Sequence, residues 1–203
     1  MSEMAHLPHP HRISQELFDL SFSQHTQMRQ KEKRGNPTTV DGTGNMTMDL
    51  TGALAHNGTL EVVDSLCETL GILPLKKTPY LIPGLRGGDE FDFQSPNGRA
   101  ADVKGNTITK WNAGLSKYQR LKVYDHQYGR PMDDYIFTVV DQNGWMLYVV
   151  GVISKQRFWK IATPQVSENT RANYHYVTPD QIPISLADYL RWCQSTPSPY
   201  HPQ

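Results

Sequence analysis

The densest run of chemistry-bearing side chains is GGDEFDFQSPNGRAADVKG, residues 87–105. Asp102 and Lys104 stand two residues apart in a segment of strand composition, so both side chains leave the same face of a sheet. A carboxylate and an ammonium one pleat apart on a central strand are costly to bury without a purpose. Upstream, Asp92 sits between Phe91 and Phe93, where a pleated strand ordinarily turns a residue to solvent. Asn97-Gly98 is a hairpin signal between the two segments. Loop length decides whether the second carboxylate joins the first. A two-residue loop, Asn97-Gly98, sets Phe93 opposite Asp102 and turns Asp92 away. A three-residue loop, Pro96-Asn97-Gly98, sets Asp92 directly opposite Asp102, and a bulge has the same effect. The residues alone leave both parities open.

A helix carrying Glu61, then Asp92, a hairpin and Asp102-x-Lys104 resembles the PD-(D/E)XK nuclease superfamily, the restriction-endonuclease-like fold. The likeness spans roughly residues 50 to 160, with Phe91 where the superfamily's name writes Pro. A phosphodiester is anionic and resists hydroxide. A divalent ion held by carboxylates neutralises charge, orients water and lowers its pKa. Carboxylates and a backbone carbonyl are hard oxygen ligands, suited to Mg²⁺ or Mn²⁺ and not to zinc. The resemblance therefore implies Asp92 and Asp102 as metal ligands, the Val103 carbonyl as a third, and Glu61 acting through water or a second ion. Lys104 would position the attacking water or stabilise the pentavalent charge. The implied activity is a metal-dependent endonuclease cutting DNA, less often RNA, and leaving 5′-phosphates. A homodimer and a phage or mobile-element source follow from the same analogy. The rival expectation is a catalytically silent DNA-binding or structural module on the same fold.

Local charge agrees with a polyanionic partner. Lys+Arg and Asp+Glu are 20 each, so the net charge of zero offers no argument of its own. Residues 99–130, however, hold seven basic side chains against Asp102 and Asp125. Arg99, Lys110, Lys117, Gln119, Arg120 and Lys122 are the candidate nucleic-acid contacts, because phosphate neutralisation needs a local patch. Trp111, Tyr118 and Tyr124 are interleaved with them and could stack on unpaired bases. Arg29–Arg34 forms a second basic segment. No Walker loop, GxGxxG, GxSxG or HExxH occurs. Cys67 and Cys193 are too few for a disulfide framework or a four-thiolate zinc site, which fits a reducing, cytoplasmic compartment. The N-terminus carries His and Pro where a signal peptide has its apolar region. No apolar run approaches the ~20 residues of a membrane span.

These residues need elements to position them. Residues 1–12 read as a loose start with His6, His9 and His11, and 13–30 as a helix capped by Ser14. Residues 35–52, rich in Gly, Thr and Asn, read as a long loop. Leu60, Val63, Leu66, Cys67 and Leu70 form a helical stripe between Thr59 and Gly71. Strands are expected over 90–94, 101–104, 135–141 and 145–153, the last two forming a hairpin. A helix is expected over 115–128 and another over 186–194 after Ser185. The sum is an α/β (α+β) fold, with a central mixed sheet of four to five strands flanked by helices. Its expected divisions are an arm, helix and loop (1–49), a nuclease core (50–162) and a C-terminal extension (163–203).

Overall fold

The computed structural model describes residues 8–31, 48–77, 91–108, 119–141, 143–167 and 171–195. Among the described residues the strands are β1 (His9–Arg12), β2 (Lys76–Lys77), β3 (Phe93–Gln94), β4 (Ala100–Ile108), β5 (Leu121–Tyr124), β6 (Asp134–Asp141), β7 (Met146–Ser154), β8 (Thr163–Val166) and β9 (Asn173–Val177). The α-helices among them are α1 (Gln15–Lys31), α2 (Met48–Leu70), α3 (Lys155–Ile161) and α4 (Leu186–Ser195). Six strands form one mixed sheet in the order β1-β7-β6-β4-β3-β2, and β5-β9-β8 form a small antiparallel sheet. Within the large sheet β4 and β6 run parallel, while the other neighbours are antiparallel. The architecture is thus a mixed sheet flanked by several helices, with more strands than the four or five expected.

The sheet separates two cores. On one face Ala101, Ile136, Val140 and Leu147 pack against Leu17 of α1, Leu50, Leu54 and Val63 of α2, and Leu190 of α4. On the other, Tyr135, Phe137 and Ile153 pack against Leu121 and Val123 of β5, Phe158 of α3 and Val177 of β9. Every residue of β6 is buried, as expected of a strand covered on both faces. The register of β6 against β7 shifts between Phe137 and Thr138. That bulge lets Val149 and Val152 both face the helices although their numbers differ in parity. Residues from 1–49, 50–162 and 163–203 share the helix-side core.

Several elements depart from expectation. His9–Arg12 pairs with β7 instead of lying loose. The helix expected to begin at Thr59 begins at Met48, inside the stretch read as a loop. Its glycines serve close approach. A Cβ on Gly58 would lie 2.0 Å from the Leu147 side chain, and one on Gly105 of β4 2.8 Å from the Ala55 Cβ. Thr59 is therefore mid-helix, and its hydroxyl meets that of Thr138 at 2.8 Å. Residues 109–118 lie outside the described residues, and 121–124 form a strand where a helix was expected. The Leu121-to-Tyr124 spacing mimics a helical repeat, but Leu121 and Val123 are buried while Lys122 is exposed, a period of two. The expected Ser14 and Ser185 caps both accept hydrogen bonds, from Leu17 N–H and Asp188 N–H, each at 3.1 Å. Among the described residues no helix is long and apolar enough to cross a membrane.

Candidate active site

The β3–β4 hairpin resolves the parity left open by the residues. Ser95 N–H donates to Arg99 O and Gly98 N–H to Ser95 O, both at 2.9 Å. The loop is therefore Pro96-Asn97-Gly98. Gly98 takes φ 85, a left-handed value that disfavours any side chain. The ladder pairs Gln94 with Ala100 and Phe93 with Ala101, which brings Asp92 level with Asp102. β3 ends there, and Asp92 N–H donates to the Ala101 carbonyl at 2.9 Å. The Asp92 side chain then occupies the edge that β3 leaves open. Its Oδ2 accepts from Val103 N–H of β4. Its Oδ1 accepts at 2.8 Å from His56 Nδ1 of α2. An ionised carboxylate only accepts, so Nδ1 carries the proton.

Asp102, Lys104 and Asn106 alternate along β4 on the face of Tyr135 and Phe137. All three are buried, as is Asp92. The Lys104 ammonium pairs with the Asp102 carboxylate and lies 5.5 Å from the centroid of the Tyr135 ring. Two carboxylates in one buried site cannot both ionise cheaply. Burial, and then the charge of Asp92, push Asp102 up to about 7 against the pull of Lys104. Burial also penalises Asp92, but the hydrogen bond and charge of His56, with help from Asp102 and Val103 N–H, hold its pKa below the ordinary value. Near neutral pH the site therefore keeps Asp92 anionic beside a carboxyl group poised to lose its proton.

Asp92, Asp102 and Lys104 are brought together; the other expected residues divide. Val103 lies between Asp102 and Lys104, with its N–H on Asp92 and its side chain against the helix-side core. Glu61 does not join the site. Its carboxylate meets His11 Nε2 of β1 at 2.7 Å, at the edge of the sheet three strands from β4. His56, one and a half turns earlier on α2, is the helix residue that reaches the carboxylates. Sequence reasoning missed it because the contact depends on where β3 stops. Arg99 sits apart from the cleft residues Gln119, Arg120 and Lys122. It makes a two-pronged bond to Asp134, at 2.8 and 2.6 Å, under Trp192 with 5.0 Å to the ring centroid. Asp134 further accepts from Tyr189 Oη at 3.0 Å. Arg99 is thus paired in the interior.

Gln119, Arg120 and Lys122 line a cleft of about 370 Å³ together with Asn106, Thr107 and Tyr124. The cleft runs along β4 immediately beyond Lys104, where Gly105, Asn106 and Thr107 line it. Lys110, Lys117, Trp111 and Tyr118 lie outside the described residues, as do the side chains of the basic segment 29–34. Among the described residues no group of three or more His, Cys, Asp or Glu is arranged to hold a metal ion. The donor set at the site is two carboxylates, with Lys104 beside them. Two hard oxygen donors that share one proton in a buried site match a divalent cation completed by a backbone carbonyl and water. Neither family models, curated proteins nor solved structures give a match to this chain.

Proposed function

We propose that this chain is a metal-dependent nuclease of the restriction-endonuclease-like type, hydrolysing phosphodiesters of DNA. The observation that carries the reading is the register of the hairpin, which puts Asp92 opposite Asp102 with Lys104 on the same face. The energetic cost of burying these charges argues for a chemical purpose. Asp92 and Asp102, with the Val103 carbonyl, would hold Mg²⁺ or Mn²⁺. The bound ion would neutralise phosphate charge and lower the pKa of water. His56 and Val103 N–H keep Asp92 ionised and fixed in plane. Asp102 gives up its proton more readily once positive charge lies beside it. Lys104 presents an ammonium where water approaches phosphorus, to orient that water or to balance the pentavalent charge.

Cleavage of circular DNA tests this reading, with supercoiled duplex and single-stranded circles offered in Mg²⁺ or Mn²⁺. The wild type is expected to nick or linearise at least one form. Asp102→Asn and Lys104→Ala are expected to lose at least a hundredfold in rate, about the worth of one preorganised charged group. A folded wild type that cuts neither circle with either metal removes the nuclease reading and favours a silent nucleic-acid-binding module.

A further inference from the structure

We infer that the cleft beside β4 is a binding track for one unpaired nucleic-acid strand, so that the preferred substrate is single-stranded or carries a single-stranded segment. The nucleic-acid identity of the ligand rests on the proposed function; the strandedness rests on the cleft. β4 is paired by β6 from Ala101 to Ile108, but by β3 only at Ala100 and Ala101. Beyond them Asp92 takes the Val103 N–H, and the start of β5 lies against Asn106. Lys122 N–H donates to Asn106 Oδ1 at 3.0 Å, and Asn106 Nδ2 donates to Lys104 O at 3.1 Å. This chain of contacts ties the cleft to the carboxylate site.

The lining carries cations that are held in place. The Arg120 guanidinium lies 5.0 Å from the Tyr176 ring centroid, and the Lys122 ammonium 5.0 Å from that of Tyr174. Both cations are exposed. Among the described residues no carboxylate pairs with either. The described lining contains no acid. Burial and the charge of Arg120 lower the pKa of Lys122, as expected of two like charges that an anion would bridge. Tyr124, also on the lining, is half-buried against Tyr174 and His126, a ring braced to stack on a base.

Size and chemistry select the strand. A cavity of about 370 Å³ stands at the small end of ligand sites and has room for one or two nucleotide units. Its parts are the cations of Arg120 and Lys122, the amide of Gln119 and the ring of Tyr124. Stacking requires an unstacked base face, which a single strand offers and a duplex withholds.

Fluorescence anisotropy with the full chain in EDTA tests this without metal or turnover. The probes are a labelled oligothymidylate and a duplex of equal length, titrated at several salt concentrations. The wild type is expected to bind the single strand at least tenfold more tightly, the worth of one stacked base. Arg120→Ala with Lys122→Ala should weaken that binding and flatten the salt slope of log K by about 1.4, or about 0.7 per phosphate contact. Tyr124→Leu should weaken it about tenfold and leave the slope unchanged. Far-UV circular dichroism confirms that each variant is folded. Equal or tighter binding of the duplex overturns the inference, as does a double variant with unchanged affinity and slope. Binding of the single strand by a chain that cuts no DNA in Mg²⁺ or Mn²⁺ supports the track while removing the nuclease reading. Cutting of duplex by a chain that ignores the single strand does the reverse.

Discussion

At the scale of single residues, Asp102 and Asp92 shift in opposite directions and so act in different pH windows. Asp102 has a folded pKa of about 7 against an ordinary 3.8. A raised value means that the folded state holds its proton more tightly. The associated stability is complete below 3.8 and is lost as pH rises through about 7. Asp92 is depressed, so its contribution is present above its ordinary value and is lost in acid. Asp102→Asn keeps a neutral side chain of similar shape and removes the first window. Its metal-free melting temperature is expected to exceed the wild type's at pH 8 and to converge with it near pH 4. A wild type that gains stability between pH 4 and 7 relative to this variant would contradict the assignment. His56 acts through Asp92. His56→Leu removes the Nδ1 donor and is expected to weaken Mn²⁺ binding by about tenfold to a hundredfold, the usual worth of a residue that orients a metal ligand. His56→Asn, whose amide can replace Nδ1–H, should recover most of it. Calorimetric titration with Mn²⁺ reads both, and equal affinity in all three proteins would leave His56 as packing alone. Asp92, Asp102 and Lys104 were legible because strand alternation and a hairpin leave only two parities. His56 was not, since α2 shows many side chains toward the sheet and only the early end of β3 lets one of them pass its edge.

At the scale of elements, legibility followed how local the signal was. The β6–β7 hairpin and the capped helices α1 and α4 rest on neighbouring residues, and they form where expected. The first three turns of α2 were hidden by glycines and threonines whose purpose is tertiary. Gly58 admits Leu147, and Thr59 meets Thr138 across the sheet. Gly58→Ala should therefore destabilise by about 1–3 kcal/mol through overpacking, even though alanine is the better helix former. Urea denaturation reads the sign, and a stabilised variant would show that Leu147 moves aside freely. The turn before β4 holds the second example. Arg99 reads as a surface cation after a turn, yet its guanidinium and the Asp134 carboxylate are only 12% and 4% exposed. Removing one partner of a buried pair strands the other charge. Arg99→Ala is expected to cost about 3 kcal/mol and to leave the salt slope of single-strand binding unchanged. A variant of wild-type stability that binds nucleic acid less tightly would return Arg99 to the phosphate contacts.

For the whole molecule, the question is whether the first and last elements are appendages or parts of the fold. The last 41 residues follow the hairpin and helix that complete the expected nuclease core, and their composition reads as an extension. Their side chains say otherwise. Tyr174 and Val177 of β9 and Leu186, Tyr189, Leu190 and Cys193 of α4 are each no more than 4% exposed. β9 also supplies the rungs to which β5 is bonded, from Leu121–Val177 to Tyr124–Tyr174. Without it, the strand that carries Lys122 and Tyr124 has no sheet to belong to. Tyr189 and Trp192 hold the Arg99–Asp134 pair at the foot of β4, directly below the carboxylates. Each fully buried apolar side chain is worth about 2 kcal/mol, so losing six of them removes an amount comparable with the whole stability of an ordinary domain, about 5–15 kcal/mol. A chain ending at residue 162 is therefore expected to lack a cooperative thermal transition and to bind the hydrophobic dye ANS. The full chain is expected to unfold in one transition, with tryptophan fluorescence and far-UV circular dichroism coincident. A truncated chain that melts sharply and still binds Mn²⁺ would mean that residues 1–162 hold the site without α4 and the small sheet, which would then be additions to a complete fold.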